Sequence, residues 1–213
     1  MTGNMAPVFA RSERLRERAH RLIPGGAHTY AKGADQYPVL APGYIERGKG
    51  CRVWDVDGNE FIEYGMGNRT VGLGHGFPPV VDAAMAALMD GCNFVRPARI
   101  EADCAETFLR IIHGAEMVKF CKDGSDATSA AVRLARAHTG RDLIACCADH
   151  PFFSTDDWFI GTTPMNSGVP RAVRRLTLTF RYNDIDSVEA LFERYPRKIA
   201  ALILEPAKNE EPA

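Results

Sequence analysis

Six cysteines are present (Cys51, Cys92, Cys104, Cys121, Cys146 and Cys147), yet no two form a CxxC pair and no His/Cys cluster has zinc spacing. That pattern gives no basis for a structural zinc site. The N-terminus has no apolar run of the kind a signal peptide needs, and no window approaches the span of about 20 apolar residues that crosses a membrane. Charge of one sign is also lacking. The formal net charge is −1, so no basic field points to nucleic acid or an anionic membrane. There is no GxxxxGK[ST] loop, and the glycines at 65, 67, 72, 74 and 76 do not fit the GxGxxG dinucleotide spacing. Internal repeats and low-complexity tracts are absent. Unpaired thiols suit a reducing, cytoplasmic setting, and each cysteine reads as a packing residue.

What is present is an ordinary globular balance. The chain has 213 residues, 46% hydrophobic and 25% charged, enough for one good-sized core or two small ones. Arginines cluster from Arg11 to Arg21, but Glu13 and Glu17 interleave with them, as on the solvated face of an amphipathic helix. That helix is predicted over Ser12 to Leu22, stopped by Pro24-Gly25-Gly26. Residues 27–50 carry no periodicity and are predicted to be irregular, with His28, Tyr30 and Lys32 on a loop that either lies free on the surface or lines a site. Cys51 to Tyr64 reads as a hairpin turning at Asp57-Gly58-Asn59. Helices are predicted from Val80 to Met89, opened by Pro78-Pro79, and from Ile100 to Ile112.

The second half alternates. Ala115 to Cys121 is predicted as a short strand that feeds the turn Lys122-Asp123-Gly124-Ser125-Asp126. A helix follows, with small or apolar residues at Ala127, Ala131, Leu134 and Ala135, and Gly140 at its end. Asp142 to Ala148 and Lys198 to Leu204 are apolar runs suited to strands buried on both faces. Val173 to Phe180 and Asp184 to Tyr195 supply a further strand and helix. The order β-α-β-loop-β-α-β implies an α/β domain with a mainly parallel sheet, whose functional loops lie at the carboxyl ends of its strands. A strand, a tight polar turn and a helix N-terminus together make an anion site, because the first N–H groups of the helix have no partner within it. Asp123 or Ser125 serves equally as an ordinary N-cap there.

Five stretches in order carry a resemblance. They are IPGG (Ile23 to Gly26), VWDVDGNEFIEYGMG (Val53 to Gly67), GLGHGFPPVVDA (Gly72 to Ala83), DGSDATSAAVRLARAHTGRD (Asp123 to Asp142) and ALILEP (Ala201 to Pro206). Together they resemble the class III, fold type I, pyridoxal-phosphate aminotransferases, and within them the glutamate-1-semialdehyde 2,1-aminomutase group. The resemblance implies part of a large cofactor domain from residue 71 to 213, preceded over residues 1–70 by an N-terminal segment of the small domain. It implies pyridoxal 5'-phosphate as cofactor, with Gly124 and Ser125 at its phosphate, where the family usually has Gly-Thr. It also implies a ring stacked on the pyridine. The loop His150-Pro151-Phe152-Phe153-Ser154 puts Phe152 where the family has tyrosine, so stacking is retained and a hydroxyl donor is lost. His28, Tyr30 and Arg69 are the substrate-side candidates.

In such enzymes an aspartate faces the pyridine nitrogen and a lysine forms the Schiff base. By the resemblance both belong beyond residue 213, and none of the lysines present (Lys32, Lys49, Lys119, Lys122, Lys198, Lys208) matches that position. The chain is therefore expected to be the N-terminal half of a cytoplasmic, homodimeric enzyme acting on a small amine or carbonyl substrate, and to be inactive alone. A non-catalytic interaction module is the alternative, and a generic phosphate-binding α/β protein is a weaker third.

Overall fold

The computed structural model describes residues 8–149 and 152–207. The chain forms two compact units, Met1–Ala98 and Arg99–Ala213.

The first unit is organised by one acidic turn. Strands β1 (Ile45–Lys49), β2 (Arg52–Asp55) and β3 (Glu60–Ile62) form an antiparallel sheet in that order. Between β2 and β3 the turn closes around Asp55, which has no exposed surface. Its carboxylate accepts the Asp57 N–H at 3.0 Å, the Asn59 N–H at 2.8 Å and the Asn59 side-chain amide at 2.8 Å. Gly58 takes φ +89°, a left-handed value that glycine adopts without strain. The same turn caps helix α1 (Ala10–Leu22): the Arg11 and Ser12 N–H groups donate to the Asp57 carboxylate at 2.7 and 2.9 Å. Phe9, the residue at the N-cap, makes no side-chain cap bond, so the cap is supplied from the hairpin. Pro24 and Gly25 (φ +74°) end α1 as predicted.

Residues 27–50 are not wholly irregular. They contain β1, whose sequence IERGK has no apolar alternation and whose strand form is set by its ladder with β2. One left-handed turn, α2 (Met66–Arg69), whose residues all take positive φ, precedes α3 (Pro78–Met89). No residue of α3 is buried within this chain, and Val80, Met85, Leu88 and Met89 are all exposed.

The second unit holds a parallel sheet of three strands, ordered β5 (Thr177–Phe180), β4 (Leu143–Cys147), β6 (Ile199–Ile203). The central strand is buried on both faces, and the period of two divides its side chains between them. On one face Ile144 packs with Val132 of helix α5 (Gly124–Thr139) and with Trp158 and Phe159 of the short helix α6 (Asp157–Ile160). On the other face Ala145 and Cys147 pack with Phe180 and Ile199, against Val188 and Leu191 of α8 (Ile185–Arg194). Helices α4 (Arg99–Ile111) and α7 (Arg171–Arg174) complete the unit. Among the described residues no helix is long and apolar enough to cross a membrane.

The strand predicted from Ala115 to Cys121 does not form. A strand exists only as part of a ladder, and among the described residues nothing pairs with this segment. Phe120 instead meets Phe108 of α4 edge-on, with ring centroids 6.2 Å apart, and stays partly exposed.

Candidate functional site

Helix α5 begins as its sequence dictates. Asp123 sits at the N-cap in extended conformation (φ −146°, ψ 178°), and its carboxylate accepts the Asp126 N–H at 2.9 Å. At the other end Gly140 takes φ +64° and returns its N–H to the Arg136 carbonyl at 2.9 Å, a left-handed C-terminal cap. Asp123 satisfies one orphan donor of the first turn, and its carbonyl faces the Ala127 N–H at 3.2 Å. The N–H groups of Gly124 and Ser125 have no hydrogen-bond partner among the described residues. A Cβ built on Gly124 would meet nothing within 4 Å. The first turn therefore leaves two N–H donors without a partner among the described residues at the positive end of the helix dipole, and no atom crowds the Cβ side of Gly124.

Ser125 Oγ accepts the Thr155 N–H at 3.0 Å. One lone pair is thus occupied while the hydroxyl proton remains available to an acceptor outside the chain. The segment that supplies Thr155 also carries Phe152, which is 53% exposed and touches Phe159 edge-on at 5.7 Å. Phe153 and Trp158 meet the same Phe159 ring at 5.6 and 5.9 Å, so a buried aromatic cluster supports the exposed ring. His150 and Pro151 of this loop lie outside the described residues.

The structure thus ties Gly124 and Ser125 to the segment that follows Phe152. His28, Tyr30 and Arg69 belong to the first unit, where all three are exposed. Their side chains make no hydrogen bond or ion pair among the described residues, and Arg69 takes a left-handed φ of +69°. Beside α5 an open cavity of about 620 Å³ is lined by Cys121, Lys122, Asp126, Ser129, Arg133 and Asp156, among others. Gly124 and Ser125 do not line it. Among the described residues no group of three or more His, Cys, Asp or Glu is placed to hold a metal ion.

Sequence reasoning overlooked the hydroxyl groups that join helix to loop. The Thr128 hydroxyl faces the carbonyls of Gly124 (3.0 Å), Ser125 (3.1 Å) and Phe153 (2.9 Å). Ser129 Oγ lies 3.2 Å from Ser154 Oγ and accepts the Trp158 indole N–H at 2.8 Å. The signal was there in outline: Ser125, Thr128 and Ser129 share one helix face at i, i+3 and i+4.

The residues present fit the phosphate and one ring face of pyridoxal phosphate: free N–H donors, an uncluttered approach over Gly124, and a supported aromatic ring on the adjoining loop. The family model for class-III aminotransferases matches residues 30–211. A glutamate-1-semialdehyde 2,1-aminomutase of Syntrophomonas wolfei is 40% identical over 204 residues, covering 92% of this chain and 47% of the relative. Among solved structures, the internal aldimine form of the FumI protein of Sphingopyxis sp. MTA144 is 34% identical with a TM-score of 0.83, covering 90% of this chain and 45% of FumI. An omega-transaminase from Sphaerobacter thermophilus is 30% identical with a TM-score of 0.84, covering 92% and 47%. The chain spans about half the length of the curated relatives it matches. Its three parallel strands and the turn that opens α5 are accordingly part of the fold of pyridoxal-phosphate transaminases, and the chain belongs to the class-III aminotransferase family, whose cofactor is pyridoxal 5'-phosphate.

Proposed function

We propose that these residues form the phosphate-anchoring and ring-stacking half of an amino-group-transferring enzyme of the glutamate-1-semialdehyde aminomutase type. The observation that carries this reading is the pair of N–H groups at Gly124 and Ser125 that have no partner among the described residues, beside an uncrowded Gly124 and next to the Phe152 loop. Both N–H groups donate to the cofactor phosphate, and the Ser125 hydroxyl adds a third donor because its oxygen already accepts from Thr155. Phe152 covers one face of the pyridine and excludes water from it. It donates no hydrogen bond, so specificity that a tyrosine hydroxyl would provide has to come from elsewhere. When bound, pyridoxal phosphate supplies the electron sink for proton loss at the carbon bearing the amino group.

In this reading the cofactor-linking lysine and the aspartate facing the pyridine nitrogen lie outside the 213 residues, and these residues alone have no transferase activity. His28, Tyr30 and Arg69, exposed on the first unit, are the residues offered for contact with a small amine or carbonyl substrate. The assembled enzyme is a cytoplasmic homodimer; the uncovered apolar side chains of α3, among them Val80, Met85 and Leu88, support burial in a larger assembly. Mutase and transaminase chemistry use the same phosphate and ring contacts.

The test is a titration of the purified chain with pyridoxal phosphate, followed by borohydride reduction and peptide mapping. Saturable binding that inorganic phosphate displaces is expected, with no single lysine labelled. Specific labelling of one lysine among these residues would overturn the assignment of the reactive lysine elsewhere. Binding indifferent to inorganic phosphate would overturn the phosphate site and favour a non-catalytic interaction module.

A further inference from the structure

Three consecutive loop residues are tied to the first two turns of α5. The Phe153 carbonyl faces the Thr128 hydroxyl at 2.9 Å, Ser154 Oγ meets Ser129 Oγ at 3.2 Å, and the Thr155 N–H donates to Ser125 Oγ at 3.0 Å. At the centre of this tie each hydroxyl oxygen is itself fixed by an N–H donor. Trp158 Nε1 donates to Ser129 Oγ at 2.8 Å, and the Asp156 N–H donates to Ser154 Oγ at 3.0 Å. Ser154 has no exposed surface and Trp158 is 7% exposed. At the buried Ser154 and Trp158 water has little access to replace a lost partner, so a broken link there leaves a polar group unsatisfied, whereas the half-buried Ser129 also borders the open cavity beside α5. Phe152 precedes the tie directly. Among the described residues its ring meets the Phe159 ring edge-on, and the residue is 53% exposed, so the backbone tie is well placed to fix where the ring sits relative to the start of α5.

We propose that Ser129, Ser154 and Trp158 are positioning residues that register the Phe152 loop on the phosphate-binding end of α5. Ring stacking and phosphate binding are then made on one rigid frame, and a ligand bearing both groups gains from both at once. The inference rests on the cofactor reading of Gly124, Ser125 and Phe152 given above. None of the three positioning residues touches the cofactor. They act through Phe152 and Ser125.

The full chain, Ser129→Ala and Trp158→Phe are titrated with pyridoxamine 5'-phosphate and, separately, with inorganic phosphate. The amine form is used because it forms no Schiff base with surface lysines. Trp158→Phe keeps a ring against Phe159 while removing the N–H donor. Both variants are expected to bind pyridoxamine phosphate about five- to tenfold more weakly, the effect of one hydrogen bond, and inorganic phosphate within about twofold of wild type. Equal losses for the two ligands, or no loss, overturn the positioning role. Amide hydrogen exchange on the ligand-free chain is read in parallel. Thr155 and Asp156 are expected to lose protection in both variants while the α5 amides from Val132 to Arg136 keep theirs. Unchanged protection at Thr155 and Asp156 overturns the tie itself. A wild-type chain that binds neither ligand overturns the cofactor reading and the positioning role with it, whereas wild-type binding without the split between ligands overturns the positioning role alone.

Discussion

Substituting Asp123 separates two effects at the start of α5. The side chain caps the helix through a 2.9 Å bond from the Asp126 N–H, and it also places a carboxylate next to the two N–H groups assigned to an anion. Asp123→Ala removes both. Loss of an N-cap of this kind costs about 1 kcal/mol, within a range of roughly 0.5–2. In a unit of this size that lowers the unfolding midpoint by about 3–6 °C. Asp123→Asn keeps an oxygen acceptor of the same reach and gives up only the carboxylate's attraction to the helix dipole, which salt screens, so in high salt its stability should stay within about 0.5 kcal/mol of wild type. The charge effect follows different logic. A carboxylate and a phosphate a few ångströms apart in water repel each other by up to about 1 kcal/mol at low ionic strength, so removing the carboxylate should strengthen inorganic phosphate binding about two- to fivefold in both variants. The chain has two tryptophans, Trp54 in the first unit and Trp158 in the second. In a Trp54→Phe background, Trp158 fluorescence reports unfolding of the second unit alone. Thermal melts followed that way give the stability term, and calorimetric titration with phosphate at low and high salt gives the charge term. If Asp123→Asn melts as low as Asp123→Ala, the hydrogen-bond account of the cap is refuted. Weaker phosphate binding in Asp123→Asn than in wild type refutes an anion site at this turn.

Two further outcomes follow from ionisation and burial. At Asp57 burial pushes the carboxyl up, but the N–H bonds from Arg11 and Ser12 and the Arg11 charge outweigh it and hold the carboxyl below its ordinary value. A depressed folded-state value contributes stability that is present above the unfolded value and is lost as pH falls through the folded one, so Asp57→Asn should flatten the acid limb of the pH–stability profile below about pH 4. An acid limb as steep in the variant as in wild type contradicts that role. Burial pushes the Cys146 thiol up to about 11. Native chain at pH 8 should therefore react with a thiol reagent at the exposed Cys51, Cys92, Cys104 and Cys121, leaving Cys146 and Cys147 unmodified until unfolding. Labelling of Cys146 at a rate comparable to Cys104, read by peptide mapping, would contradict its place in the central strand.

What was legible in the chain was local. Both ends of α5 are set by single residues, Asp123 and Gly140, and the hairpin turn by Asp57-Gly58-Asn59, so short-range rules place all three. The buried strand β4 and the half-buried β6 announce themselves as apolar runs. The failures required a partner remote in sequence. Residues 115–121 have the composition of a strand and, among the described residues, no ladder to join, while the IERGK of β1 has little strand character and acquires its form from β2. Helix α6 is one turn within a polar-aromatic stretch, too short for periodicity to show. Gly124, Ser125 and Phe152 are proposed for the site from the motif alone. The Ser129–Ser154 and Ser125–Thr155 contacts join residues 25 and 30 positions apart, which no local pattern encodes.

The central claim is that the first turn of α5 binds the phosphate of the cofactor. Its most direct test compares pyridoxamine 5'-phosphate with pyridoxamine, which lacks the phosphate, on the wild-type chain and on Gly124→Asp, where a carboxylate projects into the space that glycine leaves clear. Charge-assisted hydrogen bonds contribute about 1.5–3 kcal/mol each, so the phosphate compound should bind wild type at least about tenfold more tightly than pyridoxamine, and Gly124→Asp should erase that difference. Equal affinity of the two compounds for wild type, or a preference for the phosphate that survives Gly124→Asp, would contradict the account.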